Sequence, residues 1–225
     1  LHTLLDVNTQ IPAFIHITPA YFHYMNAMDV LFYESDAYYI FDRGYVDYTR
    51  LYKITQHSAY FVIRAKSNLQ FNRMYSRKCD RSTGVKSDQI GKLAGFYVSK
   101  EYPDKLRRIK FYDQETDRTF VFLTNNFELS AQQVAFLYKN RWQIELFFKW
   151  IKQHLKVKAF WGTSENAVRI QVYSAIIAYC MVSIVAEKLK IERSTYEILQ
   201  VLGISLLDKT PVKDHFTNMN YKDVK

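Results

Sequence analysis

The alternation of apolar and polar positions divides the chain into short strands and helices from its first residues. Residues 2–8 ("HTLLDVN") and 11–18 ("IPAFIHIT") are apolar and β-branched and predict two strands joined by a short turn. Pro12 falls early in the second strand, where its missing N–H does least harm. A helical pattern follows over 18–33, with Thr18 as N-cap and Pro19 at the first helical position. Residues 37–45 ("AYYIFDRGY") predict a strand ending at Asp42 with Gly44 in the turn; 46–56 predict a helix and 59–66 ("AYFVIRAK") another strand. The order strand, strand, helix, strand, helix, strand implies a mixed α/β sheet.

From residue 64 to 118 helical periodicity fades. A hairpin is expected where "RRIKFY" and "RTFVFLT" flank "DQETD", so this stretch predicts a small β-rich insertion. A marked helix start follows: Ser130 stands three residues before Gln133, the spacing of a capping box, and the pattern predicts one helix to about His154. Residues 163–190 are apolar nearly all round and predict a buried helix. Their longest apolar run, 175–186, falls short of the roughly 20 residues that span a bilayer. A shorter helix over 194–203 would end at Gly203 as C-cap, and beyond Pro211 the pattern predicts a frayed tail.

Composition sharpens this picture at one point. Of the formal net charge of +9, a net +7 lies between residues 64 and 118, which hold 14 Lys and Arg against 7 Asp and Glu. Such a surplus attracts polyanions, and its place on a β-rich segment, away from any amphipathic helix, favours nucleic acid over a membrane surface. Cys79 and Cys180 show neither a disulfide framework nor zinc-ligand spacing, and the six His include no HExxH, so a reducing compartment and no zinc are expected.

The stretch "LYKNRWQIELFFKWIK" (137–152) sets polar residues into an otherwise apolar helix pattern. On one continuous helix of about 100° per residue, Tyr138, Arg141, Glu145 and Lys152 share a stripe about 60° wide. Leu137, Ile144, Phe147, Phe148, Ile151 and Leu155 fill the adjoining arc, so the stripe borders the core. It can be read as a solvated face with Arg141 and Glu145 as an i,i+4 pair. It also suits an acidic metal ligand flanked by phosphate contacts.

Spaced Y-x2-R-x3-E-x6-K, these four residues resemble the signature of bacterial insertion-sequence transposases of the DDE type, in the large group named after insertion sequence four. "FDRGYVDY" (41–48) is similar to the segment around that family's second catalytic Asp, which maps onto Asp42, and "LHTLLDVNTQIP" resembles the strand pair after its first Asp. The resemblance implies an α/β, RNase H-like mixed sheet lacking its first strand, interrupted by a β-rich insertion and followed by long α-helices. Its parts would be the core at 1–65, the basic insertion at 66–126, the rest of the core with the Glu-bearing helix at 127–192, and a C-terminal helix and tail at 193–225.

By the same resemblance Asp42 and Glu145 are catalytic metal ligands for Mg²⁺, for which Mn²⁺ can substitute, while Tyr138, Arg141 and Lys152 hold DNA. Arg43, beside Asp42, can touch DNA or pair with a carboxylate. The implied partners are double-stranded transposon ends and target DNA, with a homodimer bridging the ends in the bacterial cytoplasm, on the nucleoid, and no membrane. The family's first Asp would lie on a strand before Leu1, so the 225 residues alone are expected to be inactive and to leave two sheet edges open. Rival readings are an RNase H-like nuclease without strand transfer and a catalytically dead DNA-binding remnant.

Overall fold

A computed structural model describes residues 1–19, 21, 23–154, 160–205 and 207–217. The chain divides into two compact units, Leu1–His2 with Thr18–Trp142 and Thr3–Ile17 with Gln143–Lys225.

The first unit is built on a six-stranded mixed sheet. Its strands are β3 (Tyr38–Phe41), β4 (Tyr60–Arg64), β5 (Phe71–Arg77), β6 (Val85–Leu93), β7 (Leu106–Asp113) and β8 (Arg118–Thr124), in the order β3-β4-β8-β7-β6-β5. Only β3 and β4 run parallel; helix α1 (Tyr48–Gln56), N-capped by Asp47, forms the crossover between them. The four strands of the basic insertion therefore continue the same sheet through the antiparallel β4–β8 pair.

Side-chain alternation gives the sheet two unlike faces. On one, Val62, Ile109 and Phe122 pack against Val134, Ala135 and Tyr138 of helix α3 (Ala131–Lys139), whose N-terminus carries the full Ser130/Gln133 capping box. On the other, Phe61 meets Tyr102, at the end of the short helix α2 (Val98–Glu101), with ring centroids 6.2 Å apart. The Tyr102 hydroxyl is 2.8 Å from Thr55 Oγ1 of α1.

Two asparagines steer the chain from β8 into α3. Asn125 accepts from Phe61 N and donates to Ala59 O, and Asn126 Oδ1 accepts from the backbone N–H groups of Glu128 and Leu129. Beneath this corner lies a buried ion pair: Arg107, 1% exposed, binds both Asp88 oxygens at 2.9 and 2.7 Å and also donates to Leu129 O.

In the second unit, strands β1 (His2–Leu5), from Thr3 onward, and β2 (Pro12–His16) form a separate two-stranded sheet. Leu5, Ile15 and Ile17 pack on helices α4 (Gln143–His154) and α5 (Glu165–Leu189), joining Phe147, Ile151, Val172, Ala175, Ile176 and Tyr179. Helix α6 (Thr195–Ser205) and the short helix α7 (Asp214–Thr217) close a further cluster through Ile198, Val201 and Phe216 with Val182 of α5.

Several elements differ from the sequence expectation. The helix expected over 18–33 is a 3-10 segment, Tyr24–Asp29, capped at His23; Asn26 N bonds His23 O and Val30 N bonds Ala27 O, both three residues back. The helix expected over 130–154 is interrupted by a 3-10 turn at Asn140–Trp142. Asn140 Nδ2 donates to Phe136 O, a side-chain competitor for the helical carbonyl. Tyr138 and Arg141 thus do not share one regular helix with Glu145 and Lys152, and the four-residue stripe does not form as drawn. Leu155 lies outside the described residues.

Helix α5 is not buried all round. Ile170, Tyr173, Ile177, Met181 and Ile184 are exposed along it. By length and composition it could cross a membrane, yet it packs one side on α4 within a mixed cluster. Gly203 lies inside α6, not after it, and the chain past Pro211 forms α7 up to residue 217.

Candidate active site

Asp42 follows β3 at the point where the chain leaves the sheet. Its Oδ1 accepts from Arg43 N at 2.5 Å and caps the 3-10 turn Arg43–Tyr45, which fixes the carboxylate at the strand end. The side chain is 54% exposed, so an ion or a phosphate can reach it. Arg141 Nη1 stands 3.5 Å from Asp42 Oδ2, and the Arg141 guanidinium also lies 5.9 Å from the centre of the Tyr138 ring. Among the described residues Arg43 makes no ion pair with Asp42; that role falls to Arg141, ninety-nine positions along the chain.

Tyr138 is mainly a core residue. It is 9% exposed, and its ring lies 4.7 Å from Phe122. Burial pushes its phenol pKa up, the Asp42 charge adds to this, and Arg141 opposes it. The hydroxyl therefore stays protonated at neutral pH and can donate. The contact it makes with Arg141 steadies the guanidinium whose other side faces Asp42.

These three residues border a cleft of about 940 Å³ between α3 and the sheet. Its walls add features that sequence patterns did not single out. Arg64 lies 5.0 Å from the Phe120 ring centre, Arg118 faces the same space, and the Lys139 ammonium pairs with Glu115 at 2.5 Å. The signal for Arg64 was present in the alternation of "YFVIR", since Arg64 shares a face with Val62 under α3.

Glu145 and Lys152 belong to α4 in the second unit. Both are exposed, seven residues apart and so on one helix face, while Phe147 and Ile151 are buried on another. Among the described residues no group of three or more His, Cys, Asp or Glu is arranged to hold a metal. Taken singly, the exposed carboxylates of Asp42 and of Glu145 each offer the oxygen donors that a hard divalent cation takes.

Comparison with known proteins adds the following. The family described as "Transposase DDE domain" matches residues 1–181. A protein of Sinorhizobium fredii with a transposase name is 38% identical over 204 residues, 89% of this chain and 56% of the relative. A Geobacillus stearothermophilus protein named as a transposase of insertion sequence element IS5377 is 34% identical over 142 residues, 62% of this chain and 37% of the relative. A Synechocystis protein named for insertion sequence element IS4SA is 26% identical over 171 residues, covering 76% and 44%. The chain spans about half the length of the curated relatives it matches.

Proposed function

The chain belongs to the Transposase DDE domain family, and on that premise we propose that it is catalytic sequence of an insertion-sequence transposase, of the group named after insertion sequence four, cutting DNA at its element's ends and joining them to target DNA. In the first step water attacks the phosphorus at the element's end, the P–O3′ bond breaks, and the 3′ oxygen takes up a proton. In the second, that 3′-OH attacks a target phosphodiester and displaces the target's own 3′ oxygen, so one P–O bond forms as one breaks.

The observation that carries this reading is the exposed carboxylate of Asp42 at the strand end beside Arg141. Asp42 and Glu145 are the residues that would hold a divalent ion, Mg²⁺ or Mn²⁺. Such an ion, when bound, lowers the pKa of water and offsets charge on phosphate oxygens. Arg141 supplies a planar fork for a non-bridging phosphate oxygen, and the protonated Tyr138 keeps that fork from swinging away. Lys152, on the Glu145 face of α4, offers a mobile point charge to the same strand.

The protein acts on double-stranded DNA in the bacterial cytoplasm, on the nucleoid, with two copies bridging two ends. The test is strand transfer of labelled element ends into a target plasmid by the protein that carries this chain. Glu145→Gln should abolish joining, by a factor of about 10³ or more, with DNA binding retained. Joining at the unmutated rate would overturn the assignment, and cleavage without any joining by the unmutated protein would make it a nuclease.

A further inference from the structure

The face of the insertion sheet that points away from α3 carries cations of a particular kind. Arg108 and Lys110 flank the buried Ile109 on β7 and therefore project to the opposite side. Arg73 on β5 pairs in register with Gly91, and Lys86 places its ammonium 5.1 Å from the centre of the Tyr112 ring, which shares the Arg108 and Lys110 side of β7. Among the described residues none of these four cations pairs with a carboxylate. Asp117, in the turn that follows β7, accepts a hydrogen bond from the Tyr112 hydroxyl at 2.7 Å.

Arg108 is not a loose surface side chain. Its Nε and Nη2 both donate to Gln89 Oε1, at 3.0 and 2.5 Å, and its guanidinium lies 4.7 Å from the Phe71 ring centre. Phe71 reaches that place because position 91 is glycine: a Cβ there would stand 2.8 Å from the ring and 2.2 Å from Asn72 O. Partial burial pulls the Arg108 pKa down, and the neighbouring Arg73 charge pulls it the same way. A guanidinium fixed by a ring and an amide, with Arg73 projecting from the same face of the sheet, favours an anion placed against it.

We infer that this face is a phosphate-backbone site for a duplex DNA segment other than the strand at Asp42, with Arg73 and Arg108 as its centre and Lys110 and Lys86 as its flank. The Asp42 cleft lies against α3, and none of Arg73, Lys86, Arg108 and Lys110 lines it. Contacts of this type read backbone spacing and not base sequence. The site rests on the reading of the protein as one that acts on DNA.

The test is fluorescence anisotropy of a labelled duplex of about 20 base pairs titrated with the protein that carries this chain across a salt series. Arg73→Gln with Arg108→Gln should weaken binding about tenfold at low salt and reduce the slope of log K against log salt by about 2, equally for unrelated sequences. Lys110→Gln, at an exposed position that folding does not depend on, should reduce the slope by about 1. Unmutated chain that binds with a steep salt slope, while both variants keep that slope, overturns this site and leaves the DNA-acting reading standing. Unmutated chain that does not bind duplex at all overturns both.

Discussion

Strand β7 contributes to two surfaces that obey opposite rules. Toward α3 it sends Arg107, Ile109 and Phe111, which are paired, buried or packed; toward the other side it sends Arg108 and Lys110, which keep their charge uncompensated. The first surface is specified by complementarity: Arg107 finds Asp88, and Ile109 finds Val134 and Tyr138. The second is specified by what is withheld, since among the described residues no carboxylate pairs with its cations. One strand with a two-residue period thus separates the part that holds the fold and the Asp42 cleft from a part that folding does not require.

The comparison can be broken most strongly at the buried pair. Asp88→Ala leaves Arg107 charged, buried and without its partner, and should cost about 3–5 kcal/mol in urea denaturation, whereas the double change with Arg107→Met should recover much of that. Next comes the direct contrast of neighbours: Ile109→Ala should destabilise by about 2–5 kcal/mol, and Lys110→Ala by no more than about 0.5. Equal effects at 109 and 110 would erase the distinction between the faces.

The smallest expected effect concerns α1, which covers the apolar end of the charged face. Arg50 bonds both Asp29 and Asp47, and its hydrogen bond to Asp29, with help from Lys53, holds that carboxyl below its ordinary pKa. A lowered folded pKa contributes stability that is present above the unfolded value of about 3.9 and is lost as pH falls through the folded one. Between pH 6 and pH 3 the urea midpoint should therefore fall slightly more for the unmutated chain than for Asp29→Asn.

Much of the first unit was legible because its boundaries are written in local chemistry. Asp47 capping α1, Gly44 in the turn after Asp42 and the Ser130/Gln133 box each mark an end whatever the rest of the chain does. Strands β5 and β6 were harder to read, since irregularities between Arg73 and Tyr75 and between Val85 and Ser87 break the two-residue alternation. The interruption at Asn140–Trp142 was invisible because apolar spacing continues on both sides of it.

Tertiary facts set the other limits. A Thr-Pro start over-predicted a helix at 18–33, and the apolar residues of α5 could not reveal which of them would be packed. The approach of Arg141 to Asp42 joins residues on different elements, which no local pattern encodes. Tyr138 shows how a motif residue and a core position coincide: the resemblance carried an expectation of DNA contact, while its ring packs α3 on the sheet.

The outermost strands of the large sheet differ in kind. β5 is irregular and bears Arg73 and Arg77, features that repel a like neighbour, whereas β3, "YYIF", carries no charge and, among the described residues, has no strand on its outer side. A strand offered to β3 would meet a neutral, regular edge, whereas one offered to β5 would meet a broken ladder and fixed positive charge.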